Sequence, residues 1–129
     1  MQKHFQFFIV LLTLTLFGCA SSNETNNQLA DRMALFDEKS AIQDLIFDTG
    51  CTEESECAYI GFGSKPCGGP WFYLVYDSSI EEEVIARVEA YNIKEDEFNK
   101  KYGIVSDCSM ALPPDRVACE NGTCIPIYE

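Results

Sequence analysis

The chain has 129 residues, with 9 Lys and Arg against 21 Asp and Glu, 7 Cys, a single His and a formal net charge of −12. That length holds one domain and no second independent core, and the acidic balance excludes DNA, RNA or an anionic bilayer face as partner, since these require clustered Lys and Arg. The only imidazole, His4, falls in a segment read below as a removed leader, which excludes Ser-His-Asp and Cys-His catalysis and any His-ligated metal site.

Residues 1–19 have the parts of an export signal. Lys3 supplies a basic end, and Phe5 to Phe17 is an apolar run of 13 residues broken only by Gln6, Thr13 and Thr15. A spanning helix needs ~20 apolar residues, so the run reads as a signal h-region. Leu16-Phe17-Gly18-Cys19 closes it and resembles the lipobox of bacterial lipoproteins. The resemblance implies removal of residues 1–18, diacylation of the Cys19 thiol and acylation of the new amine. At about 0.8 kcal/mol per buried CH₂, two or three chains hold a small protein at a membrane. Ala20, not Asp, follows Cys19; by resemblance to the sorting rule of Gram-negative envelopes this favours the outer membrane. Ala20 to Gln28 is mostly polar, so residues 19–39 are expected to form a flexible tether and residues 40–129 the folded domain.

Within that domain Ala41, Ile42, Leu45 and Ile46 recur at helical spacing, predicting a helix over 40–48 ended by Gly50. Residues 58–62 form a short strand candidate. Trp71 to Tyr76, six aromatic or aliphatic residues in a row, is the best strand in the chain. Ser78 with Glu81, and Ser79 with Glu82, fit a capping box. Ile80, Val84, Ile85, Val88 and Tyr91 then share an apolar face that Phe98 and Tyr102 continue, predicting one helix over about 79–102 with Gly103 at its end. Ile104 to Ser106 reads as a short strand, and Asn121-Gly122 as the type I′ turn of a hairpin over 117–127. The fold class is α+β: a small disulfide-braced domain with short antiparallel strands and one long helix on one face. The expected core is Ile60, Phe62, Trp71, Tyr73, Val75, Val84, Ile85, Val88, Phe98 and Ile125.

Setting Cys19 aside leaves Cys51, Cys57, Cys67, Cys108, Cys119 and Cys124. An even set in an exported small domain reads as three disulfides, and no C-x₂-C pair suggests zinc. Six cysteines permit 15 connectivities that sequence cannot choose among; hairpin geometry prefers the first of the two patterns that follow. One is local: Cys51–Cys57, Cys119–Cys124 across the hairpin, and Cys67–Cys108. The other crosslinks the local pairs, for example Cys51–Cys124 with Cys57–Cys119.

Most of residues 40–125 resembles a group of short exported bacterial proteins. The likeness rests on Lys65-Pro66-Cys67-Gly68-Gly69-Pro70, Tyr73-Leu74-Val75-Tyr76-Asp77, Ser106-Asp107-Cys108 and the closing Cys119 to Cys124. The group shares a K-x-C-G-G-P loop, a Y-L-x-Y-S strand and an S-D-C triplet; Asp77 stands here where Ser is usual. The resemblance implies a disulfide-rich domain and no particular chemistry.

The segment 63–70, with two prolines and glycines at 63, 68 and 69, is the candidate binding loop: Ser64, Lys65, Pro66, Gly68, Gly69 and the adjoining Trp71. A rigid exposed loop suits a partner-binding edge or a reversible protease inhibitor, because preorganisation lowers the ordering cost of binding. For a trypsin-type inhibitor presenting Lys65, Pro66 is a poor leaving-side residue. The acidic runs Glu53-Glu54-Glu56, Glu81-Glu82-Glu83 and Glu95-Asp96-Glu97 suit solubility and helix capping, or an anionic surface for a basic protein or peptide. The expected protein is a membrane-anchored envelope lipoprotein that binds another protein, with no enzymatic activity, cofactor or metal. The alternatives are an inhibitor of a protease or of a basic hydrolase such as lysozyme, and a carboxylate-dependent hydrolase.

Overall fold

The computed structural model describes residues 20–129. The expected signal peptide and lipobox, with Cys19, lie outside the described residues. Two compact units divide the chain, residues 1–31 and residues 32–129. The elements are α1 (Ala20–Phe47), β1 (Cys57–Phe62), β2 (Phe72–Asp77), α2 (Glu81–Tyr102), β3 (Arg116–Glu120) and β4 (Thr123–Ile127). Among the described residues this is the expected α+β class, with two α-helices and two antiparallel hairpins.

The first helix is much longer than its apolar spacing indicated, since residues 20–39 are helical where an irregular tether was expected. Leu35 explains part of the difference. It packs on the same core as Ile42, Leu45 and Ile46, so the buried stripe starts two turns earlier. Ala30, Met33, Ala34, Glu38 and Lys39 favour a helix, and once nucleated it propagates at little cost per residue. It stops at Phe47, where the Thr49 hydroxyl donates to the Ile46 carbonyl at 2.9 Å; Gly50 lies beyond the end.

Strands β1 and β2 pair antiparallel with Phe62 opposite Phe72, Ile60 opposite Leu74 and Ala58 opposite Tyr76. These six side chains share the face that packs on the helices. The buried centre is Ile42, Phe62, Tyr76, Val84, Val88 and Tyr91, with the Phe62 and Tyr91 rings stacked at 4.5 Å. Phe62, Val84 and Val88 belong to the expected core. Trp71, Tyr73 and Val75 were expected there too but lie outside the observed core, because β2 presents its other face. A run of six apolar residues carries no alternation, so the sequence could not say which set turns inward.

Helix α2 ends on Gly103 in the left-handed conformation (φ 59°), with the Ile104 N–H donating to the Asn99 carbonyl at 3.0 Å. Its start differs from the two capping boxes that Ser78 and Ser79 suggested. Residues Ser78–Ile80 form a 3₁₀ turn, and the buried Asp77 carboxylate accepts the Ser79 N–H at 2.8 Å. Glu81, Glu82 and Glu83 occupy the first turn of the helix, and Lys100 and Lys101 the last, matching its dipole. Residues 104–106 are irregular, not a strand. They leave the Gly103 cap without a neighbour to ladder against.

The β3–β4 hairpin turns on Asn121 (φ 52°) and Gly122 (φ 80°), as the Asn-Gly pair predicted. Cys119 stands opposite Cys124, yet they do not bond to each other. The bonds are Cys51–Cys119, Cys57–Cys124 and Cys67–Cys108. Of the local set only Cys67–Cys108 forms. The first two crosslink the local pairs, in the pairing opposite to the Cys51–Cys124 and Cys57–Cys119 alternative. The Cys51 N–H donates to the Gly122 carbonyl at 3.1 Å, which brings the segment before β1 against the hairpin. Each hairpin cysteine therefore finds its partner in the 51–57 segment.

Candidate binding face

The loop between β1 and β2 is held from below by one polar stripe of α2. The Gly63 N–H donates to Asn92 Oδ1 at 2.6 Å, and Asn92 Nδ2 donates to the Gly61 carbonyl at 3.2 Å. The Ser64 N–H donates to Glu95 Oε2 at 2.5 Å, and Asn99 Nδ2 donates to the Ser64 carbonyl at 2.7 Å. Glu95 also accepts the Tyr91 hydroxyl at 3.3 Å. Burial and the neighbouring Glu95 push the Tyr91 phenol far above its ordinary range, so it stays a neutral donor. Gly63 has φ +82°, and a Cβ there would meet Trp71 Cδ1 at 2.4 Å and Glu95 Oε2 at 2.8 Å. Only glycine lets the backbone pass so close to the helix.

Above this seat the chain closes on itself. The Lys65 N–H donates to the Gly69 carbonyl at 2.9 Å, the Gly68 N–H to the Lys65 carbonyl at 2.8 Å, and the Trp71 N–H to the Phe62 carbonyl at 2.9 Å. Gly68 and Gly69 supply left-handed backbone.

Lys65 is buried, only 7% exposed. Its Nζ donates to Asp107 Oδ1 at 3.0 Å, to the Ser109 carbonyl at 2.6 Å and to Ser109 Oγ at 3.2 Å, and lies 5.2 Å from the centre of the Trp71 ring. Those three acceptors match the three ammonium protons. Asp107 Oδ1 also accepts the Ser109 hydroxyl at 2.7 Å. The Ser109 hydroxyl, and then Lys65, hold the Asp107 carboxyl below the usual carboxylate range. The Cys67–Cys108 bond closes the same junction. Lys65-x-Cys67 is thus clasped to Asp107-Cys108, one ion pair beside one covalent bond.

The expected site residues therefore separate. Lys65 is turned inward as a fully satisfied post and does not project into solvent as an inhibitor's specificity residue would. Ser64 contributes backbone to the seat. Pro66, Gly68 and Gly69 form the exposed tip, and Trp71 is 38% exposed at its base. Alongside, the irregular segment 103–115 exposes Val105 (88%), Met110 (85%) and Leu112 (72%). Asn92, Glu95, Asn99, Asp107 and Ser109 complete the clasp and were not foreseen. The spacing of Asn92, Glu95 and Asn99, continuing the stripe of Val84, Val88 and Tyr91, is the signal that could have found the first three.

Other groupings are chemically committed. Sulfur atoms of Cys51, Cys57 and Cys124 lie within 4.8 Å of one another, but all three are disulfide-bonded and offer no thiolate to a metal. Glu56 accepts the Thr52 and Glu53 N–H groups, which lower its pKa. A hollow of about 230 Å³ between α1 and α2 is lined by Glu38, Ala41, Ile42, Arg87, Ala90 and Lys94; Lys94 pairs with Glu38, and Arg87 with Glu83. No described helix is long and apolar enough to cross a membrane. No family model matches the chain, and neither a curated protein nor a solved structure matches it.

Proposed function

We propose that this is a lipid-anchored protein of the cell envelope whose braced domain binds another protein and is not an enzyme. The clasp between residues 63–71 and 105–110 carries the reading. It spends two segments, a buried cation and a disulfide on holding a surface where Trp71, Val105, Met110 and Leu112 remain open to solvent. A surface rigid before contact loses little entropy on binding, and exposed aromatic and Met side chains are favoured at interface centres. The lipobox-like Leu16-Phe17-Gly18-Cys19 supports the anchor, and three disulfides fit an oxidising compartment.

The test uses native protein extracted from membranes. Its intact mass should show acyl chains on a chain starting at Cys19. From the same extract a discrete partner should co-purify. Trp71→Ala with Met110→Ala should weaken capture at least tenfold, while Arg87→Ala should leave it unchanged. An unacylated, uncut chain overturns the anchor; capture insensitive to the Trp71 and Met110 changes overturns the surface.

A second reading rests on the exposed acidic side chains of α2, Glu81, Glu82, Glu83, Glu89 and Glu97. They suit a basic hydrolase such as lysozyme as an inhibited partner. Micromolar protein that leaves such enzymes fully active would remove it.

A further inference from the structure

We infer that Cys67–Cys108 is a reversible thiol–disulfide exchange site, the bond through which this domain responds to a dithiol, while Cys51–Cys119 and Cys57–Cys124 are structural. The three bonds differ in surroundings. Cys67 and Cys108 are both exposed, Cys51 is buried, and Cys57, Cys119 and Cys124 are half-buried. An attacking thiolate must reach a sulfur along the S–S axis, so access favours the exposed bond. The backbone differs too. Cys57, Cys119 and Cys124 sit within strands β1, β3 and β4, whereas Cys67 and Cys108 both lie in irregular segments. Opening Cys67–Cys108 breaks no ladder hydrogen bond.

The clasp makes the opening reversible. Lys65, two residues before Cys67, donates to Asp107 and Ser109, the residues on either side of Cys108. With the disulfide cut, these hydrogen bonds still join the two segments, while Asn92, Glu95 and Asn99 still seat the loop. The two thiols stay close together, so reclosure is intramolecular and fast. The chemistry balances with a dithiol as reductant. One of its thiolates attacks Cys67 or Cys108, forming a mixed disulfide and releasing the other cysteine as thiolate. The second dithiol sulfur then displaces the first cysteine, leaving two protein thiols and an oxidised dithiol. Reclosure runs the same steps backwards with a disulfide as oxidant. The consequence falls on segment 103–115, whose Val105, Met110 and Leu112 are tethered by this bond. The inference holds whether or not that surface binds a partner.

The test titrates the native full chain with dithiothreitol under non-denaturing conditions, alkylates the freed thiols and maps them by mass. Cys67 and Cys108 should label together at a dithiol concentration at least tenfold below that needed for the other four, with the far-UV circular dichroism unchanged. Labelling of all six at one concentration, or of another pair first, overturns the assignment. Lys65→Met separates the clasp from exposure. It should leave the order of reduction intact and slow reoxidation by glutathione disulfide at least fivefold; an unchanged reoxidation rate removes the clasp from the mechanism.

Discussion

Two residues, Gly63 and Asp107, bear most directly on the proposed binding face. Gly63 has no substitute, because a side chain there needs left-handed backbone and space already held by Trp71 and Glu95. Gly63→Ala should cost about 2–5 kcal/mol, combining ~1–2 for the strained φ with ~1–3 for overpacking, measured by urea unfolding. Asp107 sets a pH dependence. Its folded pKa is depressed, so the unfolded chain binds more protons at acid pH and stability rises with pH. The contribution is full above the unfolded carboxyl value and is lost as pH falls through the lower folded one. Glu56 acts with the same sign. Asp107→Asn should therefore flatten, without abolishing, the fall of the urea midpoint between pH 6 and pH 3; an unchanged slope would remove Asp107 from the acid response.

At the scale of elements, legibility followed local signal. The Asn121-Gly122 turn and the Gly103 cap were readable because a positive φ selects Gly or Asn at one position. The course of α2 was readable because Val84, Val88 and Tyr91 keep the helical period over about two turns and Gly103 marks the end. What failed depended on distant neighbours. The buried stripe of α1 reaches back to Leu35 because that residue meets the core, and the inward face of β2 is set by Phe72, Leu74 and Tyr76 pairing with β1. Where the serine boxes were expected, the Asp77 carboxylate, buried at the strand end, accepts the Ser79 N–H instead. Of the site, the loop from Gly63 to Trp71 stood out through its glycines and prolines. The burial of Lys65 did not, since its partners Asp107 and Ser109 lie about forty residues downstream.

Over the whole molecule the disulfide pairing matters most. Cys51–Cys119 and Cys57–Cys124 each close a long loop, with separations of 68 and 67 residues, where the local pairs would have closed very short ones. By chain entropy a first such bond stabilises by about 4 kcal/mol, against about 2 kcal/mol for a loop of roughly six residues. The bonds run side by side, so with one intact the other closes only a small ring. Replacing Cys51 and Cys119 by Ala, or Cys57 and Cys124, should cost about 3 kcal/mol, and replacing all four about 7 kcal/mol, more than the two losses added. Denaturant unfolding of the three variants decides it; strict additivity would mean that the bonds act independently. By itself the sequence determined the class of the domain, the course of its long helix, its closing hairpin and its reliance on cystine, because periodicity, turn chemistry and an even cysteine count are local or compositional properties. Tertiary structure alone decided which cysteines meet, which strand face is buried and that Lys65 is a post beneath the surface. Each of those is a contact between segments far apart in the chain, and no local pattern encodes a distance across the fold.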